Sequence, residues 1–250
     1  MFYQEEEENI VKKFEGFKNN SLKNNRVILT KFLNLREQEL LEYIIGKNSG
    51  LYLYFSNISG FDEYKRAIIS PFELECDFKI KLLKLNYSNK FNDLNHRHIL
   101  GTIMGLQIER NMIGDILVSH EGNIYIISSE EMADFIKNNL ISIDHLVVTL
   151  SEEKKLEGNF TPRYDAKKHF VNSLRVDLII SEGFNISRNS SLEEIKAGNL
   201  KINQRKELNP VKNVSEGDII SLKGYGRMKV ISVGGTSKSG KIIVELGKLK

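Results

Sequence analysis

The order of apolar patterns between residues 76 and 150 constrains the fold of this chain most strongly. Alternating apolar and polar positions predict strands, and apolar positions three or four residues apart predict helices. The segment reads as strand, helix, strand, strand, helix, strand, over Phe78 to Tyr87, His96 to Leu106, Gly114 to Val118, Ile124 to Ile127, Glu130 to Asn139 and Ile143 to Leu150. This order predicts a ferredoxin-like (RRM-like) βαββαβ domain, in which two helices cover one face of an antiparallel sheet.

Short polar residues precede both predicted helices of this domain, and its third strand carries one aromatic residue. Asp93 or Asn95 can cap the first helix and Ser129 the second, because short polar side chains accept hydrogen bonds from free amides. RNA-recognition modules share the plan of the domain, and they stack bases on paired aromatic side chains of the central strands. The third strand here offers only Tyr125. Base stacking on this sheet therefore has weak support.

The sequence of residues 1–75 predicts that this segment is mainly helical, with one or two strands. Asn34 can cap a helix that begins at Leu35, and the carboxylate of Glu37 can reach back to the amide of Asn34. Leu51 to Phe55 alternates aromatic and aliphatic residues and predicts a buried strand. The predicted fold class is α+β.

A linker and a further domain are predicted after residue 150. Residues 151–168 are rich in charge and have no sustained period, which is typical of a linker. The domain at 169–250 is predicted to contain helices over Ser173 to Ser181 and Arg188 to Ala197, the second capped by Ser187 and ended by Gly198, and short strands over Leu200 to Asn203, Ile219 to Lys223, Arg227 to Val233 and Lys241 to Leu246.

Charge is distributed unevenly along the chain. Residues 163–250 hold 17 Lys and Arg against 9 Asp and Glu, a net charge of +8, whereas the remainder holds 19 against 24, a net of −5. Such asymmetry favours a C-terminal domain that meets a polyanion and a body that does not.

Four runs of residues in the last domain resemble a known motif. They are Arg175-Val176-Asp177, Ile186-Ser187-Arg188, Ile195 to Asn203 and Glu216 to Ile220. Their types and spacing resemble the alpha-L RNA-binding motif, shared by a small-subunit ribosomal protein, tyrosyl-tRNA synthetases, many pseudouridine synthases and a heat-shock ribosome-binding protein. The resemblance implies an alpha-L domain of two helices and short strands that binds structured RNA.

Other residues along the chain resemble the YlmH family of bacterial RNA-binding proteins. They include Lys65-Arg66-Ala67, His96-Arg97, Met104-Gly105-Leu106, Gly114-Asp115-Ile116 and Gly224-Tyr225-Gly226-Arg227. In that family an N-terminal body precedes the alpha-L domain. The resemblance implies that the partners are ribosomal RNA of the large subunit, tRNA and the ribosome, in ribosome-associated quality control of stalled peptidyl-tRNA complexes. It also implies a genetic link to cell division.

The candidate RNA-binding residues are those that can reach phosphates from the alpha-L domain. Arg175 and Arg188 can point the same way, and the helix start at Ser187 adds backbone amides that favour phosphate. Further cations would extend this strip across the helix end, the first hairpin and the turn at 224–226. The candidates are Arg175, Ser187, Arg188, Lys196, Lys201, Asn203, Arg205, Lys206, Lys223 and Arg227. The alternative is that the two arginines pair with surface acids such as Glu194 or Glu182.

No catalytic or metal-binding pattern emerges from the sequence. Asp177 matches the catalytic aspartate of a pseudouridine synthase, but no catalytic domain follows it, so a capping or salt-bridging role is predicted. Gly235 to Lys241 resembles a phosphate loop, yet Ile242 replaces the magnesium-binding hydroxyl, and a hairpin turn is predicted instead. The 5 histidines are scattered and Cys76 is the only cysteine, so neither a metal nor another cofactor is predicted.

A non-enzymatic RNA-binding factor is the principal functional prediction. The alternatives are an RNA-modifying enzyme targeted by its alpha-L domain, and a cell-division scaffold whose acidic body binds protein partners. The N-terminus carries the acidic run Glu5 to Glu8 and does not resemble a secretory signal. No stretch reaches the roughly 18 apolar residues that a membrane span needs. We therefore expect a cytoplasmic protein that does not enter a membrane.

Overall fold

The chain divides into two compact units. The computed structural model describes residues 3, 5–88, 94 and 96–249. Unit 1 is Met1–Thr161 and unit 2 is Pro162–Lys250. Both mix helices with antiparallel sheet, so the predicted α+β class is confirmed. The predicted caps at Asp93 and Asn95 lie outside the described residues. Within the described residues, no helix combines the length and apolar character needed to cross a bilayer.

The first part of unit 1 is a small sheet against two helices. Asn34 caps the second helix as predicted: its side chain accepts from the amides of Arg36 and Glu37, and the Glu37 carboxylate accepts from the Asn34 amide. The strand predicted at residues 51–55 is present but not buried, since Tyr52 is 45% exposed. The elements are helices α1 (Glu8–Asn24) and α2 (Leu35–Ile45) and strands β1 (Ile28–Leu29), β2 (Tyr52–Phe55) and β3 (Ala67–Ser70), in the sheet order β1-β3-β2.

The second part of unit 1 has the predicted succession of elements, with one change at its end. The elements are β4 (Ile80–Tyr87), α3 (His96–Gly105), β5 (Ile113–Val118), β6 (Ile124–Ser129), α4 (Glu130–Asn139), β7 (Ser142–Ile143) and β8 (Leu146–Glu153), in the sheet order β5-β6-β4-β8-β7. The single strand predicted at residues 143–150 is two strands, because Asp144 adopts a left-handed conformation and turns the chain between them. Ser129 precedes α4, but its side chain makes no capping hydrogen bond.

The two faces of this five-stranded sheet are covered by different segments. Helices α3 and α4 bury one face through a cluster that includes Leu83, Ile103 and Ile136. On the other face, Phe32 packs with Leu82 and Ile127. Tyr125 on this face is fully buried, with the ring of Phe160 5.7 Å away, edge-on, and its hydroxyl accepting from the amide of Glu157 at 3.3 Å. No open aromatic platform remains at Tyr125.

Unit 2 packs two helices against one face of a six-stranded sheet. Its core contains Val176, Ile180, Ile195, Leu200 and Ile220. The elements are β9 (Tyr164–Val171), α5 (Val176–Phe184), α6 (Arg188–Lys196), β10 (Leu200–Ile202), β11 (Arg205–Lys206), β12 (Ile219–Leu222), β13 (Gly226–Thr236) and β14 (Ile242–Leu249), in the sheet order β11-β10-β12-β13-β14-β9. All neighbouring strands are antiparallel. The phosphate-loop-like run is a hairpin turn between β13 and β14, as predicted.

Two expectations for unit 2 differ from the structure: the start of its first helix and the linker before it. The first helix begins at Val176 rather than Ser173, because Arg175 bridges to Asn213 and the Val176 amide donates to the Lys212 carbonyl. The segment 151–168, predicted as a linker, is strand at both ends, since β8 runs to Glu153 and β9 begins at Tyr164. Strand β9 pairs with β14 at eight consecutive positions, a partner too distant in sequence for local patterns to reveal.

Candidate nucleic-acid interface

A buried aspartate holds two arginines where the helices of unit 2 begin. The Asp177 side chain is fully buried in the first turn of α5. Arg175 donates from Nε to Oδ1 at 3.0 Å and from Nη2 to Oδ2 at 2.9 Å, and Arg188 donates from Nε to Oδ2 at 3.3 Å. The salt-bridging role predicted for Asp177 is confirmed. The pairing of the arginines with Glu194 or Glu182 is not observed, because Asp177 takes their place.

The geometry leaves positive charge at this site, which we call the Asp177 cluster (Arg175, Asp177 and Arg188). One carboxylate faces two guanidinium groups, and these keep 33% and 55% of their side-chain surface exposed, for Arg175 and Arg188 respectively. Fixing both arginines in advance lowers the conformational entropy that each would lose on binding an anion. The cluster can therefore accept phosphate with little rearrangement.

Helix α6 is tied to this cluster by serines. The Ser187 hydroxyl accepts from the Ser190 amide at 3.0 Å, so Ser187 is an N-cap as predicted. This bond occupies one of the amides expected to be free for phosphate. The buried Ser191 hydroxyl donates to the carbonyl oxygen of Asp177 at 3.0 Å and joins α6 to α5. The arginines are thus set by the packing of both helices.

A second group of cations lies on the sheet face that points away from α5 and α6, which we call the outer face. Residues directly opposite on neighbouring strands share a face. Lys206, Lys201, Ser221 and Arg227 stand opposite one another in turn across β11, β10, β12 and β13. These four strands span about 14 Å, since neighbouring strands lie ~4.8 Å apart. Lys223, in the turn that follows β12, is also exposed.

The predicted single strip of cations is therefore wrong: the sheet separates the candidates into two groups. Arg175 and Arg188 lie in the helix layer, whereas Lys201 and Arg227 lie on the outer face. The end of the Lys206 side chain lies against Gly198, just past α6. The sequence could not reveal this division because it depends on which face of the sheet the helices cover.

The remaining candidates join neither group closely. Arg205 stands opposite the buried Ile202, on the helix side of the sheet. Lys196 ends α6, about 12 Å along the axis from Arg188 at 1.5 Å per residue. The Asn203 side chain accepts from the Ile219 amide at 2.9 Å and donates to Asp218 at 2.7 Å, so it shapes the turn after β10.

Other ionisable groups nearby play structural roles. Glu207 pairs with Lys212 at 2.8 Å. Partial burial raises the pKa of Glu207, but hydrogen bonds from Lys212 and the Asn209 amide outweigh this and hold it below its usual range. The positive charge of Lys212, beside the start of α5, is therefore balanced by Glu207. Within the described residues, no group of three His, Cys, Asp or Glu side chains could hold a metal ion.

Sequence reasoning missed three outer-face residues. Tyr164 and Lys168 were not among the candidates because residues 151–168 were predicted to be a linker. Lys229 lies in a predicted strand but was not chosen. The alternation of Tyr164, Ala166, Lys168 and Phe170 on one face of β9 is a period of two. Because Lys168 breaks the apolar alternation, no clear local signal marks this strand, which is defined by its pairing with the distant β14.

Comparison with known proteins identifies the class and then the family. A family model described as "Putative RNA-binding domain in YlmH" matches residues 74–157. The fold and this match define the class, a mixed helix-and-sheet protein with an RNA-binding domain. "Ribosome-associated protein quality control protein P2" of Bacillus subtilis (strain 168) is 34% identical over 223 residues, which cover 86% of this chain and 85% of that protein. The chain belongs to the YlmH family.

A solved structure supports the same assignment. The cell division protein YlmH from Streptococcus pneumoniae is similar with a TM-score of 0.51 and 32% identity. The match covers 60% of this chain and 93% of that chain.

Proposed function

We propose that this protein is a non-enzymatic, cytoplasmic RNA-binding factor that associates with the large ribosomal subunit and tRNA. Its process would be the quality control of stalled peptidyl-tRNA complexes. The observation that carries the proposal is the Asp177 cluster, in which two partly exposed arginines are fixed on one buried carboxylate. The name of the Bacillus subtilis relative supports the link to ribosomes.

The domain arrangement is part of the proposal. The sheet contains the spatial order β5-β6-β4-β8, and in the chain helix α3 follows β4 and helix α4 follows β6. Both features support a ferredoxin-like domain at 76–150. Two helices followed by short strands support an alpha-L domain at 169–250. RNA contacts of the ferredoxin-like domain would avoid Tyr125, because that side chain is buried.

The chemistry of binding follows from the fixed cations. Arginine grips phosphate with two parallel hydrogen bonds, and Arg188 uses only Nε for Asp177 among the contacts of the described residues. Its terminal nitrogens can therefore point toward a phosphate. Contacts of this kind position the protein and carry little base information, so RNA shape would supply the specificity.

An RNA-modifying enzyme is less well supported. Asp177, the residue matching a pseudouridine synthase aspartate, is fully buried and held by both arginines. A catalytic aspartate must instead reach its substrate. Purified protein incubated with ribosomal RNA, followed by analysis of modified nucleosides, tests this alternative, and turnover would favour the enzyme.

A cell-division scaffold is the remaining candidate, and the name of the Streptococcus pneumoniae relative favours it. Cosedimentation with purified large ribosomal subunits separates the two functions. Association that is lost at high salt supports RNA binding, whereas a scaffold would not sediment with subunits at any salt concentration.

Arg188→Ala tests the RNA-binding proposal directly. If unit 2 meets about four to six phosphates, log affinity for ribosomal RNA should fall with log salt at a slope of about −3 to −5. Arg188→Ala should weaken binding and reduce the magnitude of this slope by about 1. The control is Arg26→Ala, which removes an exposed arginine from unit 1. Affinity that is unchanged in Arg188→Ala, or insensitive to salt in the native protein, would contradict the proposal.

A further inference from the structure

The outer face of unit 2 continues beyond Arg227 onto strands that lie outside the two-helix motif. Lys229 on β13 stands opposite Gly247 on β14, which stands opposite Ala166 on β9. The Lys229 ammonium lies 5.9 Å from the ring centroid of Tyr164. Any side chain at Gly247 would collide with Tyr164 and Ile231. Glycine at this position therefore leaves room for the tyrosine side chain beside the lysine.

Strand β9 brings aromatic and basic side chains together on this face. Its outer positions are Tyr164, Ala166, Lys168 and Phe170, because successive side chains of a strand point to opposite faces. Phe170 is 51% exposed, so its ring is accessible to another molecule. Aromatic rings beside cations are the surface on which proteins hold unpaired nucleic acid, by stacking bases and pairing with phosphates.

The charge of the outer face is complementary to a polyanion. Its strand positions carry Lys201, Arg227, Lys229 and Lys168. Among the described strand residues of unit 2, the acid on this face is Glu245. Its carboxylate accepts from the Ser232 hydroxyl at 3.3 Å and stands opposite Lys168. Lys201 and Lys229 stand opposite no acidic residue on the described neighbouring strands.

We propose that the outer face binds an unpaired segment of RNA, with Phe170 stacking a base and Lys229 and Lys168 contacting phosphates. This inference rests on the proposed function and extends it to a second contact surface. Six strands at ~4.8 Å spacing give a width of about 24 Å. That width accommodates several nucleotides in a row.

An unpaired segment fits this surface better than a duplex does. In a duplex the bases are stacked inside and cannot reach an aromatic side chain, whereas unpaired bases can be splayed onto one. The outer face is also separated from the Asp177 cluster by the sheet. A structured RNA held at the cluster could therefore extend a single strand around the edge of unit 2.

Two RNA probes distinguish the two surfaces in the full-length protein. One is a plain hairpin, and the other is the same hairpin with a tail of about ten unpaired uridines, made in two versions that carry the tail at the 5′ or the 3′ end. The native protein should bind a tailed hairpin more tightly than the plain one. The double variant Lys168→Ala/Phe170→Ala should bind the tailed hairpin roughly tenfold more weakly than the native protein does. Its affinity for the plain hairpin should be unchanged.

Adjacent residues of β9 provide the matched control. Lys167→Ala removes a lysine from the opposite face, where it pairs with Asp165 at 3.7 Å, and should retain the gain from the tail. Lys229→Ala tests the face without altering β9, and should reduce the salt slope of tailed-hairpin binding by about 1.

The outcomes separate this inference from the function on which it rests. Loss of the tail gain in Lys168→Ala/Phe170→Ala and a lower salt slope in Lys229→Ala, both with native circular dichroism, support the proposal. No gain from a tail at either end, an undiminished gain in Lys168→Ala/Phe170→Ala, or an unchanged slope in Lys229→Ala overturns it. In that case reduced hairpin binding by Arg188→Ala still upholds the proposed function. If Arg188→Ala has no effect on either probe, the proposed function itself fails.

Discussion

At the scale of residues, Asp177 links stability to the proposed site. It is fully buried, and it accepts three hydrogen bonds from two guanidinium groups. Asp177→Asn keeps the shape but removes the charge, so a strong charge-assisted network becomes a weak one. We expect the free energy of unfolding to fall by about 2 kcal/mol, as hydrogen bonds to charged groups contribute. Urea denaturation measures this loss.

The control for that experiment is Asp165→Asn, because Asp165 is exposed and faces Lys167 at 3.7 Å. Exposed pairs contribute little, so the change should stay within about 0.5 kcal/mol. Equal effects of the two substitutions would show that Asp177 does not organise the arginines.

Asp115 gives unit 1 a dependence on pH. Desolvation is the main cause that raises the pKa of Asp115 to about 7, and the charges of Glu63 and Asp62 add to it, against hydrogen bonds from the Tyr64 and Glu63 amides. In the unfolded chain an aspartate has a pKa of about 3.9. The folded state therefore holds a proton that the unfolded state loses between these values. The free energy of unfolding should decrease as pH rises from about 4 to about 7.

Asp115→Asn tests this account, because an amide does not titrate there and its oxygen can still accept from the Tyr64 and Glu63 amides. Chemical denaturation at several pH values should show a flatter profile for the variant between pH 4 and 7, and its advantage over the native protein should grow toward pH 7. Parallel profiles for the two proteins would refute the assignment to Asp115.

At the scale of elements, the start of α2 should be stabilised more by its cap than the start of α4. Asn34 accepts two amide hydrogen bonds, whereas Ser129 makes no capping bond. Asn34→Ala should lower the free energy of unfolding by about 1 kcal/mol, the usual contribution of a cap. Ser129→Ala is the matched control and should cost clearly less. Thermal denaturation of both variants decides the matter, and a greater loss for Ser129→Ala would contradict the geometry.

Local sequence signals predicted the elements whose partners are close in the chain. The capping box at Asn34 and Glu37, the cap at Ser187 and the glycine end of α6 at Gly198 are each set by residues within a few positions. The start of α5 was misplaced because its first amide bonds to Lys212, more than thirty positions away. Strand β9 was missed for the same reason, since its hydrogen bonds all go to β14.

The candidate site was predicted by residue type better than by arrangement. The sequence singled out Arg175 and Arg188, which stay candidates for RNA contact, and it predicted the structural role of Asp177, because these residues belong to a local motif. It could not place Lys201 and Arg227 on a different face from the arginines. Faces are fixed by which side of a strand the helices bury, and that is a property of the packed core.

At the scale of the whole molecule, unit 2 should fold without unit 1. Its core is a cluster of its own, from Val171 to Leu246. A fragment of residues 162–250 should show a cooperative thermal transition and retain ribosomal RNA binding that depends on Arg188. A fragment of residues 172–250 lacks β9, so β14 becomes an unprotected edge and Gly247 loses the cover of Tyr164.

The shorter fragment should therefore melt at a temperature lower by at least about 5 °C, since about 1 kcal/mol shifts Tm by 4–8 °C in a domain of this size. Differential scanning calorimetry on both fragments measures the shift. Equal melting temperatures would mean that β9 contributes nothing to the stability of unit 2. A lower temperature for the shorter fragment would make the strand an integral part of the sheet, and would give the outer face a rigid support across all six strands.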